Sequence, residues 1–161
     1  MRLPAVLAVT AGSLVLAVGP AFATSPHFIN ASASGPSRSG TLSVNFKEAG
    51  LGNDALISYQ ADANASATYA CINGGGNHPQ AKNKETVAGP VSAFGTFSSD
   101  KNGSISNSLT LNPPGAGDFS CPSGQRLVLA SVSYSDVSIT DTTDGITASI
   151  AGVFSATFFA V

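Results

Sequence analysis

From Ile57 to Cys71 the chain alternates with period two. Ile57, Tyr59, Ala61, Ala63, Ala65, Ala67, Tyr69 and Cys71 hold the odd positions; Ser58, Gln60, Asp62, Asn64, Ser66, Thr68 and Ala70 hold the even ones. A period of two gives one apolar and one polar face, the mark of a half-buried β-strand. The apolar residues do not fall at the i, i+3, i+4 spacing of a helix. The run is long for one strand, so a turn or bend at Asp62-Ala63-Asn64-Ala65 is the alternative to an unbroken one.

The same alternation recurs at 41–47 (Leu42, Val44, Phe46), 90–98, 104–111 and 126–140, with a first strand expected at 28–34. Asp100-Lys101-Asn102-Gly103 joins 90–98 to 104–111, and its Asn-Gly offers the positive φ of a tight hairpin. Within 126–140 the apolar phase passes from Val128, Ala130, Val132 and Tyr134 to Val137 and Ile139. A one-residue phase change predicts a β-bulge at Ser135-Asp136. A turn at 141–145 and a strand over 146–158 bring the count to about eight. These signals predict an all-β chain folded as an antiparallel β-sandwich. An immunoglobulin-like topology fits that count, although the buried Trp and Cys–Trp–Cys spacing of true immunoglobulin domains are missing.

Composition narrows the function classes. Charged residues make up 10% of the chain, nine acidic against seven basic, with no basic cluster. That argues against nucleic acid, whose binding needs several phosphate-neutralising side chains. Met1-Arg2, the apolar run from Leu3 to Val18 and the small residues of Ala21-Phe22-Ala23 follow the order of a secretory signal. The run is short for a membrane span, so a signal over 1–23 and one secreted domain over 24–161 are expected. In an exported chain the only two cysteines, Cys71 and Cys121, predict a disulfide. A thiol or metal site is the weaker reading, since neither CxxC nor a His at ligand spacing accompanies them. The bridge should pin the loop 112–125 to the sheet.

The strings Phe46-Lys47-Glu48-Ala49-Gly50-Leu51-Gly52, Cys71-Ile72-Asn73-Gly74-Gly75-Gly76, Asn83-Lys84, Lys101-Asn102-Gly103 and Cys121-Pro122-Ser123-Gly124-Gln125 carry a resemblance. Over roughly 41–158 the chain resembles small secreted proteins of actinobacteria. The resemblance implies export from a bacterium and carries over no activity.

Catalytic constellations are lacking. The carboxylates, Glu48 among them, read as turn-formers and solvated charge. His27 and His78 are the only imidazoles, and no Gly-x-Ser-x-Gly elbow follows a strand. Gly74-Gly75-Gly76 lacks the Gly-Lys-Ser/Thr ending of a phosphate loop. Asp141 and Asp144, with Asp136 upstream, could offer oxygens to Ca²⁺, but Asp-Gly is first a turn signal and the EF-hand spacing is absent. Tyr59, Tyr69, Tyr134 and the phenylalanines read as core or interface residues rather than sugar-stacking platforms. No catalytic, cofactor or metal site is expected.

The expected function is a secreted, non-enzymatic binding or structural module of the cell envelope or extracellular space. Its partner would be a macromolecule, polysaccharide or protein, and neither nucleic acid nor membrane. The candidate contact residues lie in loops: Asn77, His78, Asp118, Phe119, Asp141 and Asp144. The alternative is a secreted protease inhibitor presenting 112–125, a Pro-stiffened loop anchored by the bridge and so preorganised for binding.

Overall fold

The structure, a computed structural model, describes residues 25–73 and 83–161. The expected signal at 1–23 and the contact residues Asn77 and His78 lie outside the described residues.

The described residues form eight strands: β1 His27–Ser34, β2 Leu42–Ala49, β3 Leu56–Asn73, β4 Lys84–Ser98, β5 Ser104–Leu111, β6 Gln125–Asp141, β7 Ile146–Ile150 and β8 Phe154–Thr157. They build two antiparallel sheets, β1-β2-β5 and β4-β3-β6-β7, with β8 also paired to β6. The order 1-2-5 against 4-3-6-7 is a Greek-key arrangement of the immunoglobulin-like kind, with the fourth strand beside the third. The disulfide departs from that fold. Cys71 and Cys121 are joined with their Cα atoms 5.5 Å apart, tying β3 to the segment before β6 instead of crossing between the sheets.

Several expectations need correcting. β3 runs unbroken for 18 residues, with no turn at 62–65, because β4 and β6 pair with it on both sides. β4 starts at Lys84, six residues before the expected start at Pro90. As an edge strand it tolerates Pro90, whose missing N–H can face away from β3. The turn at 100–103 forms, yet it does not make a hairpin: β4 pairs with β3, and β5 with β2 in the other sheet. Both flanking strands carry inward apolar residues, so they meet face to face and not edge to edge. The expected strand over 146–158 is two strands. The predicted bulge explains the split, since Asp62 pairs with Ser138 and Asn64 with Ser135, leaving an extra residue on β6. β7 pairs with 137–141 and β8 with 131–134, on either side of that bulge, with Gly152 at φ 119° between them.

The core sets large side chains against small ones. Leu42, Val44 and Phe46 of β2 and Ile105, Leu109 and Leu111 of β5 are buried over Ala61, Ala63, Ala65 and Ala67 of β3. Leu109 comes so close to Gly95 of β4 that a Cβ there would lie 2.7 Å from it. Alternating bulk in this way fills the inter-sheet space without voids. Phe28, Phe46, Tyr59 and Phe97 stitch the sheets together, the Phe46 and Tyr59 rings lying 4.4 Å apart. Deeper along β6, the buried Tyr134 hydroxyl donates to the Gly40 carbonyl at 2.7 Å, joining β6 to the β1–β2 turn.

The turn between β4 and β5 is held from both sides. Asp100 accepts from the N–H groups of Ser104 and Asn102, which holds its carboxyl below the usual carboxylate range. Leu51 donates to the Gly103 carbonyl, and Ser99 donates to Gly52 while accepting from Ala55. Gly103 has φ 68°, and a Cβ on it would lie 3.0 Å from the Gly52 nitrogen. Gly103→Val is therefore expected to cost roughly 1–2 kcal/mol for the left-handed backbone alone. Chemical denaturation reads this; an unchanged midpoint contradicts it.

Candidate functional site

The described contact residues do not converge. Asp118 and Phe119 lie just before β6 begins at Gln125, and Asp141 closes its far end. At the rise of a strand those ends are roughly 50 Å apart. Asp118 is exposed, whereas Phe119 is half-buried. Their segment is a cover: Tyr69 donates to the Pro114 carbonyl at 2.8 Å, and Cys121 is bonded to Cys71. At the other end Asp141 is buried, and its Oδ1 accepts from the N–H groups of Thr143 and Asp144 at 2.7 and 3.0 Å. That is the capping of a tight turn. Asp144 is exposed, and among the described residues no three His, Cys, Asp or Glu side chains group as a metal site.

The continuous surface lies elsewhere, on the outer face of the five-stranded sheet. Period-two alternation sends the even residues of β3 from Ser58 to Thr68 outward, and the register aligns most of them with polar neighbours; after Thr68 a second register shift ends the pattern, and Ala70 and Ile72 are buried. Thr96 and Ser58 form one row; Phe94, Gln60, Thr140 and Thr147 the next; then Ser92, Asp62, Ser138 and Ser149. Beyond the bulge come Ala88, Ser66, Ser133 and Ser155, then Thr86, Thr68, Ser131 and Thr157. Polar groups thus repeat about every 4.8 Å across the strands and 6.8 Å along them. Several are preset by bonds to one another: Ser58 with Thr96 at 3.1 Å, Thr68 with Thr86 at 2.9 Å, Thr140 with Thr147 at 2.9 Å.

Two carboxylates interrupt this lattice and both are engaged. Asp62 accepts from Gln60 and Ser92, and Asp136 from Asn64 and Ser135. These rows contain no Lys or Arg. Asp136 sits at the bulge with φ 53°, the conformation that turns its carboxylate toward Asn64. A shallow depression flanks the bulge on each side. One, of about 380 Å³, is lined by Asn64, Ser66, Gly89, Ser133 and Ser135. The other, of about 470 Å³, is lined by Asp136, Ser138, Thr147, Ser149 and Gly152. Bulges commonly re-aim side chains in this manner beside working surfaces.

One aromatic ring stands on this face. Phe94 is 70% exposed, so of the two roles expected for the phenylalanines, core or interface, it does not fill the first. Phe94 and Phe97 are three apart in one strand and so occupy opposite faces. A third depression, also of about 380 Å³, marks the outer face of the three-stranded sheet, around Asn30, Asn45, Lys47 and Asn107, with no exposed aromatic lining it.

The expectation of solvated carboxylates fails at one position. Glu48 is fully buried, with Tyr59 and Asp141 beside it, and is not a solvated charge. Its parity matches Leu42, Val44 and Phe46, and β2 extends past the expected end at Lys47 to Ala49, which carries Glu48 inward.

No protein-family model, curated protein or solved structure matches the chain.

Proposed function

We propose that this protein is a secreted, non-enzymatic binding module that lays the outer face of its five-stranded sheet on a neutral polysaccharide. The observation that carries this reading is the exposed Phe94 ring set in a flat field of hydroxyl and amide groups. An aromatic face suits the C–H face of a sugar ring, because its negative quadrupole meets weakly positive hydrogens. The surrounding hydroxyls and amides both donate and accept, as a polyhydroxylated chain requires. Asp62 and Asp136, with no cation among them, disfavour an anionic polymer. The bridge in a small all-β domain fits an extracellular setting. The segment 112–124 fits less well as the contact element, because Tyr69 and the bridge hold it against the sheet.

Depletion of the purified protein by insoluble cellulose, chitin or starch tests the reading. One matrix should deplete it saturably, and Phe94→Ala should bind at least tenfold more weakly, as for an aromatic anchor. Phe119→Ala should bind normally, and the melting temperature of the Phe94 variant should not move. Depletion by none of the three, or loss with Phe119→Ala alone, contradicts it.

A further inference from the structure

Glu48 is the least expected residue in the fold: a carboxyl with 0% exposure on the inner face of β2. Neither of its oxygens makes a well-aligned hydrogen bond, and the same holds for the Tyr59 hydroxyl and Asp141 Oδ2 beside it. Two buried carboxylates side by side, both ionised, would be strongly unfavourable. A cation could resolve the conflict, but two carboxylates and a phenol fall short of the six to eight oxygens Ca²⁺ takes. Asp141 Oδ1 is moreover committed to the turn, and Asp144 is an exposed residue. A proton is the smallest ligand that answers the need. The geometry points to Glu48 as a buried carboxylic acid that shares its proton with Asp141 Oδ2, a clasp between the two sheets that opens as the pH rises.

The clasp joins the sheets because Glu48 belongs to β1-β2-β5, whereas Tyr59 and Asp141 belong to β3 and β6 of the other sheet. The groups facing Glu48 are Tyr59 from β3, Asp141 at the end of β6 and Asp144 in the following turn. β1 and β5 place Phe28 and Ile105 opposite it in the register, neither of them titratable. On β1, His27 pairs with Ala49 instead, and its ring nitrogen lies 2.8 Å from the Ser25 carbonyl. Among the described residues no Lys or Arg contributes to the surroundings of Glu48.

Burial pushes the Glu48 carboxyl up to about 7 from 4.5, with Asp141 and Asp144 adding to the rise and the Tyr59 hydroxyl opposing it. Burial and then Glu48 push the Tyr59 phenol up in turn, so it keeps its proton over this range. Burial and then Asp141 move Asp144 in the same upward direction. The folded state therefore binds a proton that the unfolded chain releases between pH 4.5 and 7. Stability is full below about 4.5, declines as the pH climbs through 7, and levels off above it. Over that window the unfolding equilibrium constant should rise by up to about 300-fold.

Urea denaturation of the full chain at pH 5 and pH 8, in buffers with EDTA and with added Ca²⁺, provides the test. The wild type is expected to lose midpoint between the two pH values, equally with EDTA or Ca²⁺. Glu48→Gln, neutral at both, should lose most of that dependence and exceed the wild type at pH 8. A variant lacking both histidines, His27→Gln with His78→Gln, should keep the wild-type profile. Parallel profiles for wild type and Glu48→Gln overturn the proposal, as does a Ca²⁺-dependent gain at pH 8, which would assign the site to a cation. Should Glu48→Gln fail to fold, the Glu48 side-chain carboxyl carbon of the unmodified protein can be titrated by NMR. A midpoint near 7 sustains the clasp, and a midpoint below 5 overturns it.

Discussion

Removing the Cys71–Cys121 bridge is expected to lower the free energy of unfolding by about 4 kcal/mol. The bridge closes a loop of 50 residues, and the chain-entropy model assigns about that amount to such a loop. Cys121→Ser is the cleaner variant, since Cys121 is partly exposed whereas Cys71 is fully buried and would leave a hydroxyl in the core. The loss should be global. Segment 112–124 covers the inner side of the long strands beyond β5, so its release uncovers Tyr69 and Leu129, which pack at the margin of the core. A urea midpoint that is the same with and without reductant contradicts this account. Wherever the reduced protein remains folded, the outer-face rows around Phe94 are intact and binding should persist.

Phe46→Ala is expected to cost about 3–5 kcal/mol, the range for truncating a buried aromatic residue. Phe46 is 3% exposed and contacts Phe28 in its own sheet and Tyr59 and Phe97 in the other. Its removal takes the middle out of the aromatic bridge, and the Ala row of β3 is too small to fill the space. Phe94→Ala is the internal control. The same truncation at an exposed ring should change stability by no more than about 0.5 kcal/mol. Equal costs for the two variants would contradict the assignment of their faces.

Much of the fold was legible because period-two alternation reports which face a residue occupies. It placed the inward side of β3 correctly from Ile57 to Ala67 and located the bulge at Ser135-Asp136 through a phase change alone. Alternation says nothing about which strand lies alongside. The tight turn at 100–103 therefore looked like a hairpin, although β4 and β5 enter opposite sheets. Nor does it mark a break opposite a bulge on another strand, which is how 146–158 came to be divided at Gly152. The surface proved harder to read. Loops rich in Asp, His and Gly attracted attention as contact elements, while the outward rows of Ser and Thr passed as generic strand residues. For Glu48 the expectation for residue type, charge outward, runs against the parity, and the parity holds; for Phe94 the parity separates a surface position from the core positions of its neighbours. A charged residue in phase with Leu42, Val44 and Phe46 is the sort of local violation that marks a working or strained position.

Whether the outer face of β4-β3-β6-β7 binds the polysaccharide is read residue by residue in an NMR titration. The ¹⁵N-labelled protein would be titrated with soluble cello-, chito- and malto-oligosaccharides, following each backbone amide. One series should produce saturable shifts confined to the rows of Phe94, Gln60 and Thr140 and to Asn64, Ser66 and Ser133 around the bulge. Shifts centred on residues 112–124 or on the Asn30, Asn45 and Lys47 face, or no shifts with any series, would contradict binding by that face of the five-stranded sheet.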